Sequence, residues 1–445
     1  MHLPLIAHTD PHAVVAWRHG AAISARRFLA DVRTLAAMLP PARHILNACS
    51  DRYRFAVGFC ATLLAGKTSL LPSTYTADTL RQLADFAPDC HLLGEDDPAT
   101  QVLPAMRFPA LDDAEPDGAF EVPRIAADHV AAWVFTSGST GTPVPHRKRW
   151  GALVANVRAE AAALGFDPAH PATLVGTVPP QHMYGFESTV LLALLNGAAF
   201  DAGRPFYPAD IAAALARARP PAVLVSTPFH LAKVLDAGIA LPPAALLLSA
   251  TAPLPDALAR RAEAAFGAAL LEIYGSTETG QVATRRPACD EAWTPFPGVR
   301  LETRETRTWA GGGHIEEEVA LSDLIEHLAD GRFLLRGRHA DLVNIAGKRT
   351  SLGWLNQQLL GIPGVVDGSF YLPDDDGSAI VRLAAFVVAP GLTEAALRSA
   401  LRARMDAAFL PRPLLFVDSL PRNATGKLPR AACAALLAAH RHGER

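Results

Sequence analysis

From about residue 40 to residue 280 the chain alternates short, apolar or β-branched runs with longer amphipathic stretches, and this alternation narrows its possible folds more than any other feature. Residues 131–135, 173–178, 222–226, 245–249 and 270–274 read as strands; residues 149–164, 209–218, 229–237 and 256–266 read as helices. Strands separated by helices at this spacing predict α/β layers built on largely parallel sheet. In such sheets ligands bind beyond the carboxyl ends of the strands, so the loops there carry the chemistry. Residues 303–313 read as a hairpin or exposed loop. After Gly337-Arg338 the pattern changes to a compact α+β unit, with strands over 368–372 and 381–388 and helices over 393–409 and 430–439. The expected organisation is a large domain of layered sheets and helices over 1–338 and a small α+β domain over 339–445.

Composition excludes several classes. Half of the 445 residues are hydrophobic, and 41 Lys+Arg against 44 Asp+Glu give a net charge of −3. Near-neutrality excludes a generally basic nucleic-acid coat and an acidic disordered tail. Five cysteines (Cys49, Cys60, Cys90, Cys289, Cys433) without a C-x-x-C pair predict reduced thiols and a cytoplasmic protein. No basic segment followed by a long apolar stretch opens the sequence, so no secretory signal is expected. The longest apolar runs, 55–66 and 190–200, fall short of the ~20 residues that span a bilayer and read as buried helices.

Ala61 to Thr68 nearly fits the phosphate-loop pattern G-x-x-x-x-G-K-[ST], with Ala in place of the first Gly. A phosphate loop needs a strand, then free backbone amides, then a helix starting at the Lys. Here a helix over 54–64 precedes Gly66, and a strand over 68–71 follows. The order is reversed, and the motif is a decoy.

Four other segments carry chemistry. Thr136-Ser137-Gly138-Ser139-Thr140-Gly141-Thr142-Pro143 follows an apolar strand and precedes the helix expected near Arg149; its glycines free amides for an anion and its hydroxyls add donors. Tyr274-Gly275-Ser276-Thr277-Glu278 follows the strand over 270–274, where a Tyr can stack on a base and an acid can ligate Mg²⁺. The third segment is Gly337-Arg338-His339-Ala340-Asp341, followed by Asn344 to Arg349. The fourth is Pro421-Arg422-Asn423-Ala424-Thr425-Gly426-Lys427. Taken singly, each has a bland reading as a polar turn or a solvated loop.

In this order and spacing the four segments resemble the adenylate-forming superfamily of acyl-CoA synthetases, peptide-synthetase adenylation domains and luciferases, whose patterns read T-S-G-S-T-G-x-P-K, Y-G-x-T-E, G-R-x-D and P-R-x-x-x-G-K. Weaker matches are Pro179 to Gly185, at the family's substrate-pocket loop, and Ser249-Ala250-Thr251-Ala252-Pro253, at its adenine loop. The resemblance implies attack of a carboxylate on the α-phosphate of ATP, followed by displacement of AMP by a thiol, with the small domain mobile about a hinge two residues after the motif Arg so that one cleft serves both steps. It implies that Lys427 contacts the carboxylate and α-phosphate, and that Thr136, Ser137, Gly138, Ser139, Thr140 and Gly141 hold the outer phosphates. Thr277 is implied at the α-phosphate and Glu278 at Mg²⁺. Tyr274, Gly275 and Thr251 are implied at adenine, with Asp323 and Arg338 at the ribose hydroxyls. By position His182, Phe186, Phe229 and Gly275 are candidates for the acyl pocket. The acceptor implied is CoA or the phosphopantetheine of a carrier protein, and the acid an aryl or fatty acid.

The sequence departs from the family at three places. Val144 stands where a Lys follows the motif proline; Lys148, within Arg147-Lys148-Arg149, is the candidate substitute. The acidic residue of the third motif is displaced to Asp341, leaving the pivot at Ala340 or Asp341. Asn344 replaces a common Lys. These departures keep open a second reading, a degenerate nucleotide-binding relative that acts as a non-catalytic partner in a biosynthetic assembly. A serine hydrolase and a nucleotide-dependent dehydrogenase are excluded by the lack of G-x-S-x-G and G-x-G-x-x-G.

Overall fold

The computed structural model describes residues 1–72, 74–95, 102–110, 117, 119–137, 143–338, 342–345, 348–373, 382–422 and 428–443. Two large sheets dominate. The first runs in the order Pro143–Arg149, Val130–Ser137, Thr68–Leu71, His44–Asn47, His91–Gly94, Ala105–Arg107, parallel except for its first pair. The second has nine strands in the order Thr294–Pro295, Gly280–Arg285, Ala269–Ser276, Leu246–Ser249, Ala222–Ser226, Thr173–Gly176, Ala199–Asp201, Val14–Arg18, Ala21–Ser24. Its central strands are parallel and its edges antiparallel. All five residues of Ala222–Ser226 are buried, as expected of a parallel strand covered on both faces.

Helices supply the cover. Asp256–Phe266 buries only Ala259, Ala262 and Phe266, one face of a 3.6-residue period, and stops where Gly267 takes a left-handed φ of +64°. Arg52–Leu64 is followed by Gly66 at φ +67° and the strand Thr68–Leu71, so the decoy loop is a helix end with no phosphate cradle. One apolar cluster draws on both sheets (Leu71, Val134, Leu174, Val225) and on an aromatic group of Phe55, Phe59, Trp150 and Phe186. Phe59 and Phe186 meet edge to face at 4.8 Å, and each such ring contributes roughly 2–3 kcal/mol by burial.

A three-stranded antiparallel sheet, Val299–Arg304, Arg307–Gly312 and Ile315–Ala320, contains the hairpin expected over 303–313. The pair Asp323–His327 and Phe333–Arg338 follows. Beyond it, Asp367–Tyr371, Ala384–Val388 and Leu414–Phe416 form a small sheet, packed with the helices Leu352–Leu360, Glu394–Arg402 and Arg430–Gly443. The two apolar clusters of this region draw only on residues from Val343 onward. The expected helix over 393–409 is divided: Glu394–Arg402 is α-helical and a 3₁₀ turn covers Ala407–Phe409.

The helix expected over 149–164 is found at Trp150–Leu164, and the segment between it and the glycine-rich loop is a strand that the sequence reading does not include. Pro143–Arg149 returns antiparallel along Val130–Ser137, with Ser137 opposite Pro143, and the helix begins at Trp150. The basic run 147–149 therefore lies on a strand. Arg147 is exposed and Lys148 buried, the alternation of a half-covered strand.

Candidate active site

Chemistry collects at the carboxyl end of Ala269–Ser276. A bulge at Tyr274/Gly275 turns the chain out of the strand, and Gly275 is needed there because a Cβ would collide with the Gly280 carbonyl. Reciprocal bonds close the following turn: the Ser276 N–H donates to Thr279 Oγ1 and the Thr279 N–H to Ser276 Oγ, each at 3.2 Å. Thr277 and Glu278 are held between these two anchors.

The hairpin meets this turn. Lys148 Nζ donates to the Glu278 carbonyl at 3.2 Å, and His146 Nε2 lies 3.7 Å from Glu278 Oε1. The Thr136 hydroxyl is 3.0 Å from the same imidazole nitrogen. Burial raises the Glu278 pKa, but hydrogen bonds from its own backbone and from Ser276, with the charges of His146 and Lys148, outweigh burial and hold the carboxyl below the usual range. A single ionised carboxylate suits Mg²⁺, which takes one or two carboxylates and fills the rest of its sphere with water and phosphate oxygens. Among the described residues, no group of three or more His, Cys, Asp or Glu is arranged to hold a metal by itself.

Lys148 is only 8% exposed, whereas Val144, at the motif-lysine position, is 45% exposed. Beneath Lys148 lies the fully buried Glu187, which accepts from Asn156 Nδ2. Burial pulls the lysine pKa down and pushes the glutamate pKa up, each offset by the charge of the other. Asn156 Oδ1 also accepts the Gln281 N–H at 3.3 Å, so one buried polar group grips the strand that leaves the turn. Glu187 and Asn156 escaped the sequence reading; the available signal was two polar side chains inside otherwise apolar helical runs.

The third motif meets the second. Asp323 and Arg338 are opposite one another in register, and the Tyr274 hydroxyl donates to Asp323 Oδ2 at 2.8 Å. The Tyr274 ring leans on Trp293 and Phe333, with centroids 5.7 and 6.1 Å away. Thr251 follows Leu246–Ser249 at φ +80°, a left-handed backbone that costs a β-branched residue on the order of 1–3 kcal/mol. The loop is braced by Glu272, which accepts the Leu254 N–H at 3.0 Å and pairs with Arg285 at 2.7 Å. An acid inside the apolar run Leu270-Leu271-Glu272-Ile273 was the signal for that brace.

Of the acyl-pocket candidates, His182 stands immediately before the short helical turn Met183–Gly185, and Phe229 lies in the first turn of Pro228–Asp236. Phe186 is fully buried in the aromatic cluster with Phe55 and Phe59, so its ring is committed to the core. Arg52, unremarked in the sequence, is a fully buried guanidinium that donates to the carbonyls of Gly176, Val178 and Asp201 at 2.9–3.0 Å, and to that of Gly203. It ties together two loops at the sheet edge. Gly138, Ser139, Thr140, Gly141, Lys427, and the pivot candidates Ala340 and Asp341 lie outside the described residues, as do the side chains of Ser137 and Arg338. A cleft of about 370 Å³ between Arg300, Trp309 and His327 touches none of the residues above except Phe333, which also contacts Tyr274.

The model of the AMP-binding enzyme family matches residues 6–307. The chain belongs to that family. It is an ATP-dependent, AMP-forming acid–thiol ligase. Among relatives of this AMP-binding enzyme, a 4-coumarate–CoA ligase of Rhodobacter capsulatus is 35% identical over 307 residues, covering 68% of this chain and 76% of that protein. A 3-hydroxybenzoate–CoA/4-hydroxybenzoate–CoA ligase of Thauera aromatica is 26% identical over 388 residues, 77% of this chain and 72% of that one. The fold matches ATP-bound MatB from Rhodopseudomonas palustris with a TM-score of 0.83 at 21% identity, over 98% of this chain and 99% of that chain. Among the described residues no helix is long and apolar enough to cross a membrane.

Proposed function

We propose that this AMP-binding enzyme activates an aryl carboxylic acid and passes it, through an acyl-adenylate, to the thiol of CoA or of a phosphopantetheinyl carrier protein. A carboxylate oxygen attacks the α-phosphorus of ATP, the bond from that phosphorus to the bridging oxygen breaks, and pyrophosphate leaves. The thiol sulfur, having lost its proton, then attacks the acyl carbon and expels AMP. Both steps turn on oxygen-borne negative charge, so fixed donors and cations are the chief catalysts.

Lys427 neutralises charge between the carboxylate and the α-phosphate. Thr277 donates to the α-phosphate, and Thr136 to Gly141 cradle the outer phosphates. Glu278 would hold Mg²⁺, which supplies further charge neutralisation to the phosphate oxygens when bound. Tyr274, Gly275 and Thr251 form the adenine end, with Asp323 and Arg338 at the ribose. Lys148 compensates for Val144 from behind the turn, holding the Glu278 carbonyl and adding positive charge under the phosphates. Residues 1–338 bind both substrates, and residues 339–445 swing to present first Lys427 and then the segment around Gly347.

The observation that carries this reading is the convergence of Thr136, His146, Lys148 and Glu278, with Tyr274 bonded to Asp323: three segments far apart in sequence meet around one turn. The aryl preference is supported by relatives named for coumarate and hydroxybenzoate. The test is exchange of labelled pyrophosphate into ATP over a panel of acids, without thiol. Aryl acids should support exchange, and Lys427→Ala should lower it by about 10²-fold or more with ATP binding retained. Absence of exchange with every acid, while nucleotide still binds, would favour the non-catalytic relative.

A further inference from the structure

The strands Thr173–Gly176, Ala222–Ser226 and Leu246–Ser249 end at the same edge of the sheet as Ala269–Ser276. Their ends collect buried hydroxyls around one imidazole. Thr177 Oγ1 lies 3.1 Å from Ser226 Oγ, and Ser249 is the register partner of Ser226. The Thr227 and Thr177 hydroxyls approach His230 Nδ1 at 3.0 and 3.3 Å. Thr227 Oγ1 also accepts the backbone N–H of His230 at 3.3 Å, so its own proton is free to point at Nδ1. With Nδ1 accepting that proton, the ring's own proton sits on Nε2. Burial, and then the charge of Arg204, lower the His230 pKa and keep the ring neutral.

Nε2 has no hydrogen-bond partner among the described residues, although His230 is only 3% exposed. The buried Ser249 hydroxyl is in the same state. Phe206 and Phe229 stand edge-on to the imidazole, with centroids at 5.3 and 5.5 Å. An N–H donor on an imidazole flanked by aromatic rings, with no acceptor among the described residues, is a pre-built partner for an oxygen on an aromatic ligand. Its position sets a length. Ala222–Ser226 is two strands from Ala269–Ser276, or about 10 Å at the usual strand spacing. A carboxylate at the Thr277 end would thus reach His230 with the far end of a ring carried on a two-carbon arm.

We propose that His230 is a specificity residue, whose Nε2–H donates to a hydroxyl oxygen on the distal end of an aryl acid. Thr177 and Thr227 are positioning residues that fix its tautomer. The inference rests on the reading of this protein as an aryl-acid ligase and names which aryl acids it selects.

The test compares 4-coumarate with cinnamate, which differ only in the para hydroxyl, by pyrophosphate exchange. The wild type should favour 4-coumarate by about 10-fold or more in kcat/KM, because a site built to bond a hydroxyl is left with an unpaired donor by the analogue lacking it. His230→Phe should erase the preference by losing 4-coumarate while cinnamate stays within about 2-fold. His230→Gln, which keeps a donor, should retain part of it. Equal rates for the two acids in the wild type, or equal losses for both in His230→Phe, would overturn the assignment. Exchange with alkanoic acids and with neither aryl acid would instead bring down the aryl reading itself.

Discussion

Single residues in this protein act by where burial leaves their charges. Glu160 is fully buried, and burial, only partly offset by the neighbouring polar groups of Ser188 and Gln281, raises its pKa to about 7. The folded value lies above the unfolded one of about 4.5, so the folded state holds the proton more tightly. Its stabilising contribution is therefore complete below about pH 4.5 and lost as pH rises through about 7. Glu160→Gln should be close to neutral at pH 5 and more stable than wild type at pH 8 by up to about 3 kcal/mol, read from urea denaturation at both pH values. A difference that does not change with pH would contradict a proton held by Glu160. The same residue marks the limit of sequence reading. Tyr274, Thr277 and Glu278 are legible because their spacing is a motif, whereas the roles of Glu160, Glu187 and His230 are not, because a polar side chain in an apolar run hints at burial but nothing local names the groups it will face.

At the scale of elements, the sequence was legible wherever period and punctuation agreed. Asp256–Phe266 is found at the expected residues because its apolar face repeats cleanly and Gly267 ends it. Pro143–Arg149 is a strand that the sequence does not announce, because its alternation is written in His, Arg and Lys rather than in apolar residues. Its strand character comes from pairing with Val130–Ser137, a tertiary cause that no local propensity carries. Arg52 is a second such cause. One guanidinium fastens four carbonyls in the loops after Thr173–Gly176 and Ala199–Asp201. Arg52→Met fills similar volume but strands those acceptors, and should cost at least about 3 kcal/mol in chemical denaturation while raising KM for the acid more than KM for ATP. An equal rise in both KM values would show that the edge of the sheet near His230 does not depend on this tie.

For the whole molecule, two observations define the account. Three distant segments converge on the turn after Ala269–Ser276, and the region from Val343 onward has apolar clusters of its own. At the junction, Gly337 at φ +111° admits Ser351, whose hydroxyl donates to the Arg336 carbonyl at 3.2 Å and caps Leu352–Leu360. The strand before the proposed pivot is thus in direct contact with the first helix after it. The sequence made the large layers and the change of pattern near residue 338 readable; the contacts across that junction come only from the folded chain. The central claim is that the acid itself attacks the α-phosphate. An aryl acid labelled with ¹⁸O in its carboxylate, turned over with ATP and a thiol, reports this directly by mass spectrometry of the products. The account predicts one ¹⁸O in AMP and none in pyrophosphate, and label in inorganic phosphate, or none in AMP, would contradict it.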